Sequence, residues 1–192
     1  MGLGKFFNAV AKAAASSTTP SPGKSQASGK LGFQETGTPP KRDSQGRVII
    51  KLMGGAGAAW GVNLSRLEDK VANKLAGKVN ADEEFSKSVK VRMRPDRESQ
   101  FENSVLVETL DGQFVGWILK DASEDVVSVM TQIQKGVSSV APELAGEELT
   151  FEMSAKIEGA WDEVGEDDKE EWEASVDSMF IQMKNPAEIE VE

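Results

Sequence analysis

Lys90, Arg92, Arg94 and Arg97 fall within eight residues of one another, and Phe101 follows four positions later. Cations at that density next to an aromatic ring are what a single-stranded nucleic acid needs, since guanidinium and ammonium groups neutralise phosphates and a ring stacks on a base. Val89, Val91 and Met93 alternate with the first three cations. That period of two puts Lys90, Arg92 and Arg94 on one face of a strand and the apolar residues on the other. Arg97 opens the polar connection that runs to Asn103, and loops carried by a rigid sheet are where binding groups gather. An ordinary solvated strand face would have the same spacing. Trp60 and Trp117 are the other candidate stacking groups. Trp117, with Val115 and Leu119 at period two, is expected in the core.

The chain has no cysteine, histidine or tyrosine. Disulfides and thiolate metal sites are excluded, and the commonest general base and metal ligand are missing together. Only carboxylates and amines remain for acid–base work, so an enzyme is not expected, and neither is a cofactor. Asp162, Glu163, Glu166, Asp167 and Asp168 could gather a hard cation such as Mg²⁺ or Ca²⁺. They lack the spacing of a calcium-binding loop, and a solvated acidic loop is the expected state.

Charge is distributed unevenly along the 192 residues, whose net charge is −10. Residues 1–47 hold seven Lys/Arg against two Asp/Glu, residues 48–142 twelve against thirteen, and residues 143–192 three against seventeen. The acid lies at the C-terminal end and the middle is near neutral. No run approaches the roughly 20 apolar residues of a membrane span, and a cytoplasmic protein is expected. Leu3, Phe6, Phe7 and Val10 share one face of a short N-terminal helix, which either packs, frays, or meets a membrane surface or partner groove. Lys5 and Lys12 interrupt the stretch too often for a signal peptide. Phe6 occupies the position where myristoylation wants Ser or Thr. Residues 16–46 are rich in Ser, Thr, Gly and Pro and read as a disordered linker. The organisation expected is a helix and linker over 1–46, one folded domain over 47–185, and an acidic tail over 186–192.

Within the domain, Arg47 to Met53 reads as a strand. The glycine-rich stretch Gly54 to Gly61 follows as a loop, then a helix capped by Asn63 and ending near Gly77. Gly55-x-Gly57-x-x-x-Gly61 is one residue off the dinucleotide fingerprint and lacks the Lys-Ser/Thr of a phosphate-binding loop. It is expected as a structural turn that seats Trp60. Ser104–Leu110 and Gln113–Leu119 read as a hairpin, with Asp111-Gly112 as a two-residue type I′ turn. A second helix spans Ala122–Lys135. Leu149–Ile157 is a strand followed by a bend at Gly159, and Val176–Met183 is the last strand. The fold class implied is α+β, a small mostly antiparallel OB-like β-barrel with two helices, preceded by the disordered arm.

The central block resembles the HIRAN domain. That family shows an acidic-Pro-x-Asn-Pro-Tyr-Asp-x-Asn-Ala-Val run and then Gly-x-x-Val-Gly-Tyr/His-Leu. Pro95-Asp96, Asn103-Ser104-Val105 and Gly112-Gln113-Phe114-Val115-Gly116-Trp117-Ile118 carry the match. Ile157-Glu158-Gly159-Ala160-Trp161-Asp162 is similar to a Gly-Gly-Trp near the close of bacterial members, so the resemblance covers roughly 47–185. It implies an OB-like barrel that binds DNA, in some members a single-stranded 3′ end. The family's Tyr-Asp falls on Gln100-Phe101 or Phe101-Glu102. The Arg and Tyr of its first glycine turn are replaced by Ala56, Ala58 or Ala59, so the likeness stops short of a 3′-hydroxyl pocket.

The function expected is therefore a non-enzymatic module for single-stranded or end-containing DNA. Its contact face would be Lys90, Arg92, Arg94, Arg97, Phe101, Asn103 and Trp60. The alternative is a protein-interaction module on the same fold, with the acidic C-terminal region as contact surface or DNA mimic. A continuous positive groove beside Phe101 would favour DNA, and its absence a protein partner.

Overall fold

A computed structural model describes residues 40–52, 57–78, 84–165 and 171–184. The expected N-terminal helix, most of the expected linker, the acidic tail and Glu166, Asp167 and Asp168 of the acidic run lie outside these residues. Seven strands and two helices follow in the order β1 (Val48–Lys51), β2 (Gly57–Asn63), α1 (Asp69–Ala76), β3 (Glu84–Pro95), β4 (Val105–Thr109), β5 (Phe114–Ile118), α2 (Lys120–Val140), β6 (Leu149–Glu163) and β7 (Trp172–Lys184).

Six strands pair antiparallel in the closed circuit β6-β3-β4-β5-β2-β7, and β7 returns to β6. The short β1 runs parallel to the start of β6, Val48 opposite Leu149 and Lys51 opposite Glu152. The fold is thus the α+β, mostly antiparallel OB-like barrel expected. Alternation builds it: Val91 and Met93 of β3, Val105 and Val107 of β4, and Phe151, Met153, Ala155 and Ile157 of β6 point inward and are fully buried or nearly so. The stripe of α2, Val126, Val129, Met130, Ile133 and Val137, joins the same core.

Several local expectations change. The stretch from Gly57 to Asn63 is a strand, not a loop, because it pairs with β7 from Gly57↔Lys184 to Gly61↔Phe180. That partner is some 120 positions away and invisible to local pattern. Asn63 ends β2 instead of capping a helix; its Oδ1 accepts a hydrogen bond from the Ser65 amide at 3.0 Å, a local turn that delays α1 to Asp69. The residues between β4 and β5 form a longer loop, in which Gly112 has φ +84° while Asp111 has no positive φ. A type I′ turn needs both. Instead Gly112 N donates to Thr109 O at 3.0 Å, and Thr109 N to Gln113 O at 2.8 Å. Gly159 is no bend: it sits at a register shift in mid-β6, and the strand continues through the buried Trp161 to Glu163. Residues 41–46, expected in the linker, are hydrogen-bonded to the folded domain. Ile49 N donates to Lys41 O, and Arg42 grips both Glu147 carboxylate oxygens at 3.0 and 3.1 Å.

Candidate nucleic-acid interface

β3 carries Lys90, Arg92 and Arg94 on its outer face, as its alternation requires. The register then decides what they meet. Arg92 lies between Glu108 of β4 and Glu152 of β6, and Arg94 lies opposite Leu106. Arg92 forms an ion pair with Glu152 at 3.6 Å, and its Nε is a buried donor without a partner among the described residues. Arg94 donates to Glu108 Oε1 through Nε at 3.2 Å, and its Nη2 lies 3.1 Å from the same oxygen in an ion pair. Lys90 is exposed, with its Nζ 3.0 Å from Ser154 Oγ.

Glu108 also serves a second arginine. Arg47 donates from Nη2 to Glu108 Oε2 at 3.0 Å and from Nε to Asp43 Oδ2 at 2.6 Å. The side chains of Asp43, Glu108 and Arg47 are 1%, 5% and 6% exposed, so this chain of charges is desolvated and each member needs its neighbours. Burial alone would raise the Asp43 carboxyl, but the Arg47 guanidinium and the Arg47 and Gln45 amides together hold it below the usual carboxylate range. Burial works against the Arg47 cation too, and Asp43 and Glu108 more than offset it. The outer face of β3 is therefore a sign-alternating ladder, not a continuous positive groove.

Beside this ladder lies a shallow cleft of about 340 Å³ lined by Gln45, Arg47, Arg94, Arg97, Glu98 and Glu148. Arg97 stands exposed at its rim, on the loop from Asp96 to Ser104. Asp96 N donates to Ser104 O at 2.8 Å to close the loop. Inside it, Asp96 Oδ1 accepts from Glu98 N at 3.2 Å and Ser99 Oγ from Phe101 N at 3.1 Å. Asn103 takes φ 58°, the left-handed conformation that Asn tolerates better than most side chains. This frame presents Phe101 to solvent, 69% exposed.

Trp60 is not part of that surface. It is 8% exposed and packs in the barrel core, where no base can reach its ring. Trp117, expected in the core, is instead half-buried on the outer face. β5 places it opposite Leu106 and Asn63, so Arg94, Leu106, Trp117 and Asn63 form one row across four strands. Its indole N–H donates to Asp96 Oδ2 at 2.9 Å, Phe114 packs edge-on at 4.5 Å, and the Arg66 guanidinium sits 5.6 Å from the ring centroid. That is cation–π range. Arg66, Asp96 and Arg47 were not singled out from the sequence. Only the register and the turn after β2 bring them to this face.

Asp162 and Glu163 are exposed at the end of β6. Among the described residues no three His, Cys, Asp or Glu side chains gather as metal ligands, and no helix is long and apolar enough to cross a membrane. No family model, curated protein or solved structure matches the chain.

Proposed function

We propose that this chain is a cytoplasmic, non-enzymatic HIRAN-like module that binds single-stranded DNA across the outer face of β3, β4 and β5 and the adjoining loop. The observation that carries this is the half-buried Trp117 beneath the Arg66 guanidinium, with the exposed ring of Phe101 on a hydrogen-bonded loop of the same region. The exposed Phe101 ring offers a stacking face that every base can use, the Arg66 guanidinium over Trp117 adds a cation–π surface beside it, and stacking tolerates a surface of modest charge. The contact set shifts from the β3 stripe towards Trp117, Arg66, Phe101, Arg97, Lys90 and Asn103, with Arg92 and Trp60 left out. Fluorescence anisotropy with labelled single-stranded and 3′-overhang DNA at low salt tests it. Three cations not committed to a carboxylate predict a log–log salt slope of about −2 on a single strand. Trp117→Ala or Phe101→Ala should each cost on the order of 1–3 kcal/mol of binding. Absence of binding below millimolar DNA, or variants that bind like the parent, would discard the proposal.

A protein partner is the second reading, and the charge-balanced ladder of Arg92, Arg94 and Arg47 with Glu152, Glu108 and Asp43 favours it. With no net positive groove, long-range attraction of a polyanion is weak. On this reading the exposed Phe101 is the anchor of a protein contact, and DNA binding is absent in the same assay.

A further inference from the structure

We propose that the cleft between Arg47, Arg94 and Arg97 is an oxyanion site that holds a backbone phosphate of the bound strand; the assignment rests on the single-stranded DNA reading above. Arg47 uses Nε and Nη2 on Asp43 and Glu108, and Arg94 uses Nε and Nη2 on Glu108. The remaining nitrogen of each, Nη1, has no hydrogen-bond partner among the described residues, and both residues line the cleft. Arg97, at the rim, makes no ion pair within the described residues. Guanidinium donors in a fixed fork match a phosphate in both geometry and charge.

The buried pairs prepare the site. Asp43 and Glu108 hold Arg47 and Arg94 in place, so an incoming phosphate need not order them. Glu108 alone is shared between two cations, which leaves donor capacity over for a ligand. Glu98 and Glu148 also line the cleft. Their carboxylates oppose an anion and set a modest affinity. The position suits a strand already stacked on Trp117. Arg94 and Trp117 lie two strand spacings apart in one row, or roughly 10 Å. That is about three nucleotides at the ~3.4 Å rise of a stacked strand. A base on Trp117 and a phosphate in the cleft can thus belong to the same short segment.

The test uses the full chain and oligothymidylates of about ten nucleotides, one unmodified and a series with a single neutral methylphosphonate walked along the backbone. Arg97→Gln, a change on an exposed loop, is expected to weaken the unmodified strand about fivefold, the scale of one charge-assisted contact. It should also reduce the salt slope by about 0.7. One methylphosphonate position should weaken the parent by a similar factor and make Arg97→Gln without further effect. Glu98→Gln should tighten binding about twofold. Equal loss from Arg97→Gln on every oligonucleotide, or none on any, overturns the phosphate site while a loss on Trp117→Ala keeps the DNA reading. Failure of the parent to bind any strand overturns both. A phosphoserine peptide held more tightly than the oligonucleotide would reassign the cleft to a protein ligand and overturn the strand.

Discussion

At the scale of residues, Glu108 is the pivot of the outer face. It is buried, accepts from Arg47 and Arg94, and lies opposite Arg92. Glu108→Ala leaves two largely desolvated cations short of a counter-charge, so a loss of about 3–5 kcal/mol in urea unfolding is expected. A loss below about 1 kcal/mol would show that solvent already screens the cluster. Asp43 adds a pH dependence with a definite sign. Its folded pKa is depressed below the 3.8 of the free side chain. The stability it contributes is therefore complete above 3.8 and disappears as pH falls through the lower folded value. The urea midpoint should fall as pH is lowered below about 4, and Asp43→Asn should remove part of that fall. Asp111, on the exposed β4–β5 loop, is brought down to about 2 mainly by Lys74 and then Thr109.

Elements meet where side chains allow. β5 joins β2 at Val62↔Ile118 and Asn63↔Trp117, continued by Leu119 N donating to Gly61 O at 2.9 Å, and Gly116 makes that contact possible. A Cβ there would lie 2.2 Å from Asn63 O and 2.9 Å from a Val62 methyl. Since backbone cannot retreat as a flexible side chain does, Gly116→Ala should cost on the order of 1–3 kcal/mol or more. It should also shift Trp117 fluorescence, because the neighbouring ring moves with the strand. A Trp117 signal unchanged alongside normal stability would show that the barrel seam tolerates opening. At the other end, the long halves of β3, β6 and β7 extend beyond β4 and β2. There α1 packs its Ala72 and Ala76 against Trp161 and Ala174, with Asn73 Oδ1 accepting from Ala174 N at 2.6 Å. Trp161→Ala should empty this second cluster at a cost of about 3–5 kcal/mol. Hydrogen exchange should rise in α1 and β7 before it rises in β4. Uniform acceleration across the barrel would contradict two separable packing units.

For the whole molecule, the question is where the folded unit begins. A chain starting at Pro40 retains the Arg42 grip on Glu147 and the Asp43–Arg47 pair. It should unfold at the urea midpoint of the full chain. A chain starting at Arg47 loses Asp43 and leaves the buried Arg47 with Glu108 alone, so it should be about 1–3 kcal/mol less stable. Equal midpoints for the two would return the boundary to Arg47. Across the molecule a net charge of −10 opposes any polyanion. A DNA-binding face must then work by stacking and a few short-range contacts, and its affinity should fall less steeply with salt than that of a basic groove.

Period-two alternation in β3 and β6 and the stripe of α2 were legible in the sequence, because burial on one side of an element imposes its own spacing on the residues that form it. The barrel class followed from the order of those elements, and the chain's lack of His and Cys narrowed its chemistry without any coordinates. The same spacing placed Lys90, Arg92 and Arg94 on one outer face and put Phe101 in the loop. What spacing could not contain was the neighbour across the sheet. Glu108 and Glu152 stand beside Arg92 only because β4 and β6 pair with β3 in this register. Gly57 to Gly61 is a strand only because β7 comes back to it. The exchange of Trp60 for Trp117 as the accessible ring has the same origin. Trp60 turns inward on a strand that β7 closes into the barrel, whereas a register shift opposite Val107 and Glu108 breaks the alternation of β5, so that Val115 is buried and Trp117, two positions on, lies on the outer face.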